Sequence, residues 1–327
     1  MAMHLYAGID EAGYGPMLGP LCVACTAFTV ETPTADPPDL WELLSPAVCR
    51  SRRDRRGRIA IDDSKKLKGA KGASTHPLKH LERGVLGFLA AGGFLPTDTP
   101  LTDEALLHTL GGTAQTSPWY DSAAALPVAQ DASMLWIAAD RLSRAISRAG
   151  ITFRGAVCDV VDVTDFNNQV EVMGRKSAVT MQSVLSLIDR LWRKWSGDAP
   201  IIVVDRQGGR IHYRQELAIA WPGVKIQIQE EDEHASIYTL NWPDRGTIEI
   251  RFQPRAENDH LPVALASMTA KYMRELLMGR LNAYFMTHLP DLKPTAGYVE
   301  DGRRYLGEIE TVITAHALDR KSLVRSR

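Results

Sequence analysis

Two acids sit where an apolar run stops. Residues 7–20 read AGIDEAGYGPMLGP, so Asp10 and Glu11 end a stretch with the pattern of a buried strand and precede a glycine- and proline-rich loop around Tyr14. Asp205 closes a second such run in PIIVVDRQGGR. Acids at strand ends of an α/β sheet stand at the edge where ligand crevices form. A single one is commonly a turn cap or half of an ion pair; two in the same setting point to shared use. A third candidate is Glu275, in ASMTAKYMRELL, where Ser267, Lys271 and Glu275 recur every four residues as a polar stripe on an otherwise apolar helix. That spacing also suits an intrahelical pair between Lys271 and Glu275. Carboxylates gathered without basic partners repel one another unless divalent cations lie between them, and an all-oxygen ligand set suits magnesium.

The elements that must position these acids can be read from periodicity. LYAGID and PLCVACTAFTV are short apolar runs on either side of the glycine loop, which predicts a hairpin. Leu78, Leu81, Val85 and Leu89 recur at helical spacing. QDASMLWIAADRLSRAISRAG predicts a helix capped by Asp131 or Ser133 and ended by Gly150, followed by the strand ITFRGAVCDVV. KSAVTMQSVLSLIDRLWRKWSG carries Val184, Leu187, Leu191 and Trp195 on one stripe, with Gly197 past its end, and leads into PIIVVD. VKIQIQ and TIEIRF alternate as half-buried strands do, and the last third is mainly helical. Helices alternating with buried strands imply an α/β sheet with helices on its faces. Residues 68–128, broken by glycine and proline, predict an insertion or lid-like subdomain.

Composition narrows the class without choosing a function. The chain has 327 residues, with 38 Lys plus Arg against 39 Asp plus Glu, so only local clustering of charge could mark a polyanion site. One such cluster is RSRRDRRGR at 50–58, which suits either a solvated loop or phosphate contact. No secretory pattern or membrane-length apolar window occurs, so the expectation is a cytoplasmic protein without membrane attachment. Cys22 and Cys25 form a C-x-x-C, but odd spacing in a strand turns them to opposite faces, which favours buried thiols over zinc.

These motifs resemble those of ribonuclease HII, the type 2 ribonucleases H. GIDEAGYGPMLGPL is similar to that family's opening stretch, DDSKKL at 62–67 to its D-S-K-K-L segment, VVDRQGG to the third-acid strand end, ASMTAKYMRE to its late helix, and AGYVEDGRRYL to its G-Y-x-T helix entry. The matches run in family order over residues 7–306. The resemblance implies a ribonuclease H-like mixed sheet flanked by helices, with a catalytic domain over 1–290 containing the 68–128 insertion and a C-terminal helical segment over 291–327. It further implies a monomeric endonuclease that hydrolyses the RNA strand of RNA/DNA hybrids with two Mg²⁺ or Mn²⁺ ions. Asp10, Glu11, Asp205 and Glu275 would hold the metals. Gly13, Tyr14, Gly15, Ser64, Lys65, Lys66, Lys271 and Tyr298 would meet the nucleic acid, with the bare glycine backbone reaching a sugar-phosphate chain and its 2′-OH. A dinucleotide loop is the weaker reading, because Gly13, Gly15 and Gly19 miss the G-x-G-x-x-G spacing and two acids would oppose a pyrophosphate.

The chain departs from the pattern in three places. Tyr14 replaces a basic residue, which removes a charge-assisted phosphate contact. Glu275 replaces a shorter Asp, and Glu257, in FQPRAENDHLP, is an acid the resemblance leaves without a role. Three readings follow: a hybrid-cleaving nuclease, a nuclease of the same chemistry with another nucleic-acid substrate, or a catalytically idle nucleic-acid-binding module.

Overall fold

A computed structural model describes residues 2–32, 36–69, 75–96, 99–113, 116–195 and 200–326. The expected helix end at Gly197 lies outside them, as do 70–74, 97–98 and 114–115 of the 68–128 stretch. In chain order the strands are β1 (Ala2–Ala12), β2 (Leu21–Thr32), β3 (Val48–Cys49), β4 (Ile59–Ala60), β5 (Thr152–Val161), β6 (Ile201–Asp205), β7 (Lys225–Glu231), β8 (Ser236–Trp242) and β9 (Gly246–Gln253). The helices are α1 (Leu40–Leu43), α2 (Ser64–Leu67), α3 (Lys79–Ala91), α4 (Asp103–Thr109), α5 (Ala132–Arg148), α6 (Val163–Met173), α7 (Lys176–Lys194), α8 (Arg214–Ala220), α9 (Leu261–His288), α10 (Val299–Glu308) and α11 (Glu310–Ala315). Strand β8, in which Tyr238, Leu240 and Trp242 alternate with Thr239 and Asn241, and helix α6, with Val163, Phe166 and Val170 on one face, add to the elements expected from the sequence.

Seven strands form one mixed sheet in the order β5-β2-β1-β6-β9-β8-β7, and β3 and β4 form a separate two-stranded ladder. The β1–β2 hairpin is antiparallel, whereas β6 lies parallel to both β1 and β9. The result is a mixed sheet with helices on both faces. Period-two alternation divides the core: Leu5, Ala7 and Ile9 pack on one face with α6, α7 and α8, while Tyr6, Ala24 and Phe28 pack on the other with α3, α5 and α9. Cys22 and Cys25 fall on opposite faces, and all four cysteines are buried and free.

Helix α9 runs for 28 residues and is apolar nearly all round, as a helix enclosed by other elements must be. Its start lies directly against β1: a Cβ on Gly8 would stand 2.1 Å from the Val263 nitrogen, so only glycine lets the two backbones touch. The described part of 68–128 packs into the same core through Leu81, Val85, Phe88 and Leu106. It is also tied to α9 by buried polar contacts. Tyr272 donates to Glu82 at 2.8 Å, and Arg280 donates through Nε to Asp103 at 2.7 Å. Asp131 caps α5 as expected, accepting from the Ser133 N–H at 2.8 Å. No described helix is long and apolar enough to cross a membrane.

Candidate active site

Parallel pairing brings the first acids together. Ile9 stands opposite Val204 in the β1–β6 ladder, so Asp10 and Asp205, each one residue further on, stand side by side just past its last pair. Glu11 follows Asp10 and, by alternation, leaves the strand on the other side. The strand is ending there, however, and both acids line one cavity of about 250 Å³. The Glu11 N–H donates to Asp10 Oδ1 at 2.7 Å.

Two further acids line the cavity: Asp63, which caps helix α2 by accepting from the Lys65 N–H at 2.8 Å, and Glu257. Asp205 pairs with Gln253 at the end of β9, and the chain then turns through Arg255, which adopts a left-handed φ of 56°. The Ala256 N–H donates to Asp205 Oδ1 at 2.9 Å, which sets Glu257 beside Asp205 on a short 3-10 turn, Ala256–Asn258. Glu257 Oε2 is buried and has no hydrogen-bond partner.

Glu275 is placed elsewhere. Ser267 and Lys271 line the cavity, but Glu275 lies two turns along α9 from Ser267, about 12 Å at 1.5 Å per residue. There it pairs with Lys68 at 2.6 Å and Lys271 at 3.1 Å. Burial alone would raise its carboxyl pKa, but the two ammonium groups outweigh burial and hold it below the ordinary value. The intrahelical pair is thus present, and the expected assembly of Glu275 with Asp10 and Asp205 is not.

The three remaining acids behave as crowded carboxylates. Burial raises the Asp10 pKa well above the ordinary range, and Glu11 and Asp205 raise it further. Glu11 is pushed up to about 7 by burial and then by Asp205, with Lys65 opposing. Asp205 is pushed up to about 6 by burial and then by Glu257, with the Ala256 N–H opposing. Lys65 and Lys271 share the cavity, so basic groups are present after all, but they do not balance the acids. Among the described residues no three His, Cys, Asp or Glu side chains form a ready-made cage for one ion. Magnesium does not demand one, since it keeps several waters and is held by one or two carboxylates together with substrate phosphates. Asp10, Glu11, Asp205 and Glu257 around one cavity, the last with a buried oxygen that has no hydrogen-bond partner, are a donor set that fits hard divalent cations.

The expected substrate contacts are mostly collected here. Gly13, Tyr14, Gly15, Ser64, Lys65, Lys271 and Tyr298 all line the cavity, whereas Lys66 faces an adjoining groove. Tyr298 is 54% exposed, open to a partner ring. Gly15 has open space where a side chain would be. Gly13 is different: its φ is 97°, and a Cβ would meet Arg274 Nε at 2.6 Å, so glycine is required there by the packing beneath the loop. The loop is braced from below: Arg274 donates to Leu18 O at 3.2 Å, and Arg325 donates to Gly19 O at 2.7 Å and to Gly13 O. Periodicity gives no warning of Lys176, whose ammonium lies 4.8 Å above the Tyr14 ring and returns a positive charge to the loop.

No family model matches the chain, and no curated protein matches it. Among solved structures it is similar to the RNase HII of the PCNA:RNase HII complex from Archaeoglobus fulgidus, at 16% identity and a TM-score of 0.42 over 99% of this chain and 94% of that one. It is also similar to Bst-RNase HIII in complex with Mn²⁺, at 14% identity and a TM-score of 0.43 over 98% and 66% of the two chains. A third is the ribonuclease H2 of Pyrococcus horikoshii OT3, at 12% identity and a TM-score of 0.35 over 98% and 92%. At these values the likeness carries no argument about the site. In its ordered motifs the chain resembles the type 2 ribonucleases H.

Proposed function

We propose that the chain is a divalent-metal-dependent endonuclease that hydrolyses the RNA strand of RNA/DNA hybrids. The observation that carries this reading is the convergence of Asp10, Glu11, Asp205 and Glu257 on one cavity that also presents Lys65, Lys271 and a glycine-bordered backbone. Asp10, Glu11, Asp205 and Glu257 would hold Mg²⁺ or Mn²⁺. When bound, paired ions activate water and stabilise the leaving oxygen of an in-line displacement.

The chain's own groups supply position and charge. Lys65, exposed beside the acids, and Lys271, behind them, draw the scissile phosphate toward the cavity. The loop from Gly13 to Gly15 offers backbone groups to the ribose and its 2′-OH, the group that separates RNA from DNA. Tyr298, at the cavity rim, presents a ring face for stacking on a base or sugar. Water adds to phosphorus as the P–O3′ bond breaks, and the proton passes to the departing oxygen, leaving a 3′-hydroxyl and a 5′-phosphate.

A second reading, the same chemistry on another nucleic acid, is favoured by Tyr14, which moves the loop's positive charge to Lys176. One assay separates the two. Labelled duplexes that are all DNA, RNA/DNA hybrid, or DNA with one ribonucleotide are incubated with the protein and Mg²⁺. Cutting of the hybrid with no cutting of all-DNA supports the first reading, and cutting of all-DNA supports the second. Binding without cutting, unchanged in Asp10→Asn, removes both and leaves an idle binding module.

A further inference from the structure

The arginine run at 50–53 is built into the molecule beside the acid cavity. Arg50, Arg52, Arg53 and Lys66 line an open groove of about 630 Å³ in which Asp62 is the one carboxylate among the described residues. The groove and the cavity share helix α2: Ser64 and Lys65 face the acids, whereas Lys66 and Leu67 face the arginines. Asn258, next to Glu257, ties the two together, because its carbonyl accepts from Arg50 Nη1 at 2.6 Å and its Oδ1 from Lys66 Nζ at 3.2 Å.

A merely solvated loop would not need such anchoring. The Arg50 guanidinium lies 3.5 Å above the Trp41 ring, a cation–π contact that fixes its plane. Asp54, the acid inside the run, is fully engaged by Arg58 through Nη2 at 2.8 Å and by the Arg56 N–H at 3.0 Å. It therefore closes the turn and leaves Arg52 and Arg53 exposed and without a carboxylate partner among the described residues, with Arg52 Nη1 donating to the Lys66 carbonyl across the groove at 3.4 Å. Planar guanidinium groups in a row, with an ammonium alongside, match the spaced oxygens of a sugar-phosphate backbone.

We propose that this groove is a phosphate-binding track that grips the nucleic-acid backbone beyond the cavity, several nucleotides from the bond to be cut. The inference rests on the nuclease reading and adds to it where the substrate strand runs.

The test is fluorescence anisotropy of a labelled RNA/DNA hybrid against the full chain over a series of salt concentrations, with chelator present to prevent cutting. In R52E/R53E we expect affinity to fall at least about tenfold and the slope of log affinity against log salt to become shallower by about 2, one for each phosphate no longer neutralised. R52K/R53K should keep the slope, and in a Mg²⁺ assay R52E/R53E should raise KM while kcat holds. Unchanged affinity and slope in R52E/R53E, with the parent binding and cutting, would remove the track and leave the nuclease reading standing. An equal loss in R144E/R193E, whose arginines lie elsewhere, would likewise remove it by assigning the effect to net charge. If the parent neither binds nor cuts any duplex, the nuclease reading falls and the track falls with it.

Discussion

Asp205 and Glu257 meet because β6 and β9 run parallel: Asp205 lies opposite Gln253, and the turn after Gln253 returns its Ala256 N–H to the Asp205 carboxylate at 2.9 Å. Fifty-two residues separate these two acids in the chain, yet they share a cavity wall. Glu275, which helical spacing nominates instead, is held by Lys68 and Lys271.

This exchange of roles predicts opposite outcomes for two conservative variants. Glu257→Gln should lower hybrid cleavage about 100-fold, the equivalent of about 3 kcal/mol of transition-state stabilisation. Glu275→Gln should stay within about tenfold of wild type but lose about 1–3 kcal/mol of folding stability, because two lysines lose their buried partner. Single-turnover cleavage and denaturant melts on both proteins decide it; equal catalytic losses would return Glu275 to the reacting centre.

Divalent cations should stabilise the folded chain independently of any cleavage. Because Asp10, Glu11 and Asp205 repel one another, a cation that binds the fold alone at about 100 times its Kd adds about 2.7 kcal/mol. Mg²⁺ or Mn²⁺ should therefore raise the melting temperature of wild type by several degrees, and much less in Asp205→Asn. A melting temperature indifferent to both metals would count against the cation site.

The glycine loop should depend on Arg325. Burial, with Arg274 close by, draws the Arg325 guanidinium pKa down to about 9, so it stays charged at neutral pH while donating to the carbonyls of Gly13 and Gly19. Arg325→Ala leaves both carbonyls without these donors and should cost about 2–4 kcal/mol. It should also raise KM for hybrid, with Arg325→Lys intermediate. Thermal melts and steady-state kinetics read the two effects separately, and an unaltered KM in the alanine variant would detach the brace from substrate binding.

His260 should make stability depend on pH. Its Nε2 meets Gln253 Oε1 and its Nδ1 meets the Tyr6 hydroxyl, each at 2.6 Å, a pairing that suits the neutral ring. Burial lowers its pKa from 6.5 to about 4. Between those values the unfolded chain binds more protons than the folded one, so this stabilisation is present above about pH 6.5 and lost as pH falls toward 4, by about 3 kcal/mol at most. The acids in the cavity titrate with the opposite sign, so the quantity to measure is the wild-type minus His260→Gln difference in unfolding free energy at pH 5 and pH 7. That difference should shrink at the lower pH.

Much of the site is legible in the sequence. Asp10 and Asp205 end apolar runs, Ser64 and Lys65 follow a turn, and Gly13 and Gly15 fall in the loop after a strand; these are local signals, set by a few neighbouring residues, and the fold brings all of them to one cavity. The hairpin, the long helices and the opposite faces of Cys22 and Cys25 follow from periods of 2 and 3.6, which any short window carries. What only the tertiary structure decided is which distant residues become neighbours. Glu257 joins the acids through strand pairing and a left-handed Arg255, Glu275 is drawn away by Lys68 from another segment, and Lys176 comes to rest over Tyr14. Periodicity reports the face a residue takes within its own element, whereas charge pairing is settled by the distances that packing sets between elements.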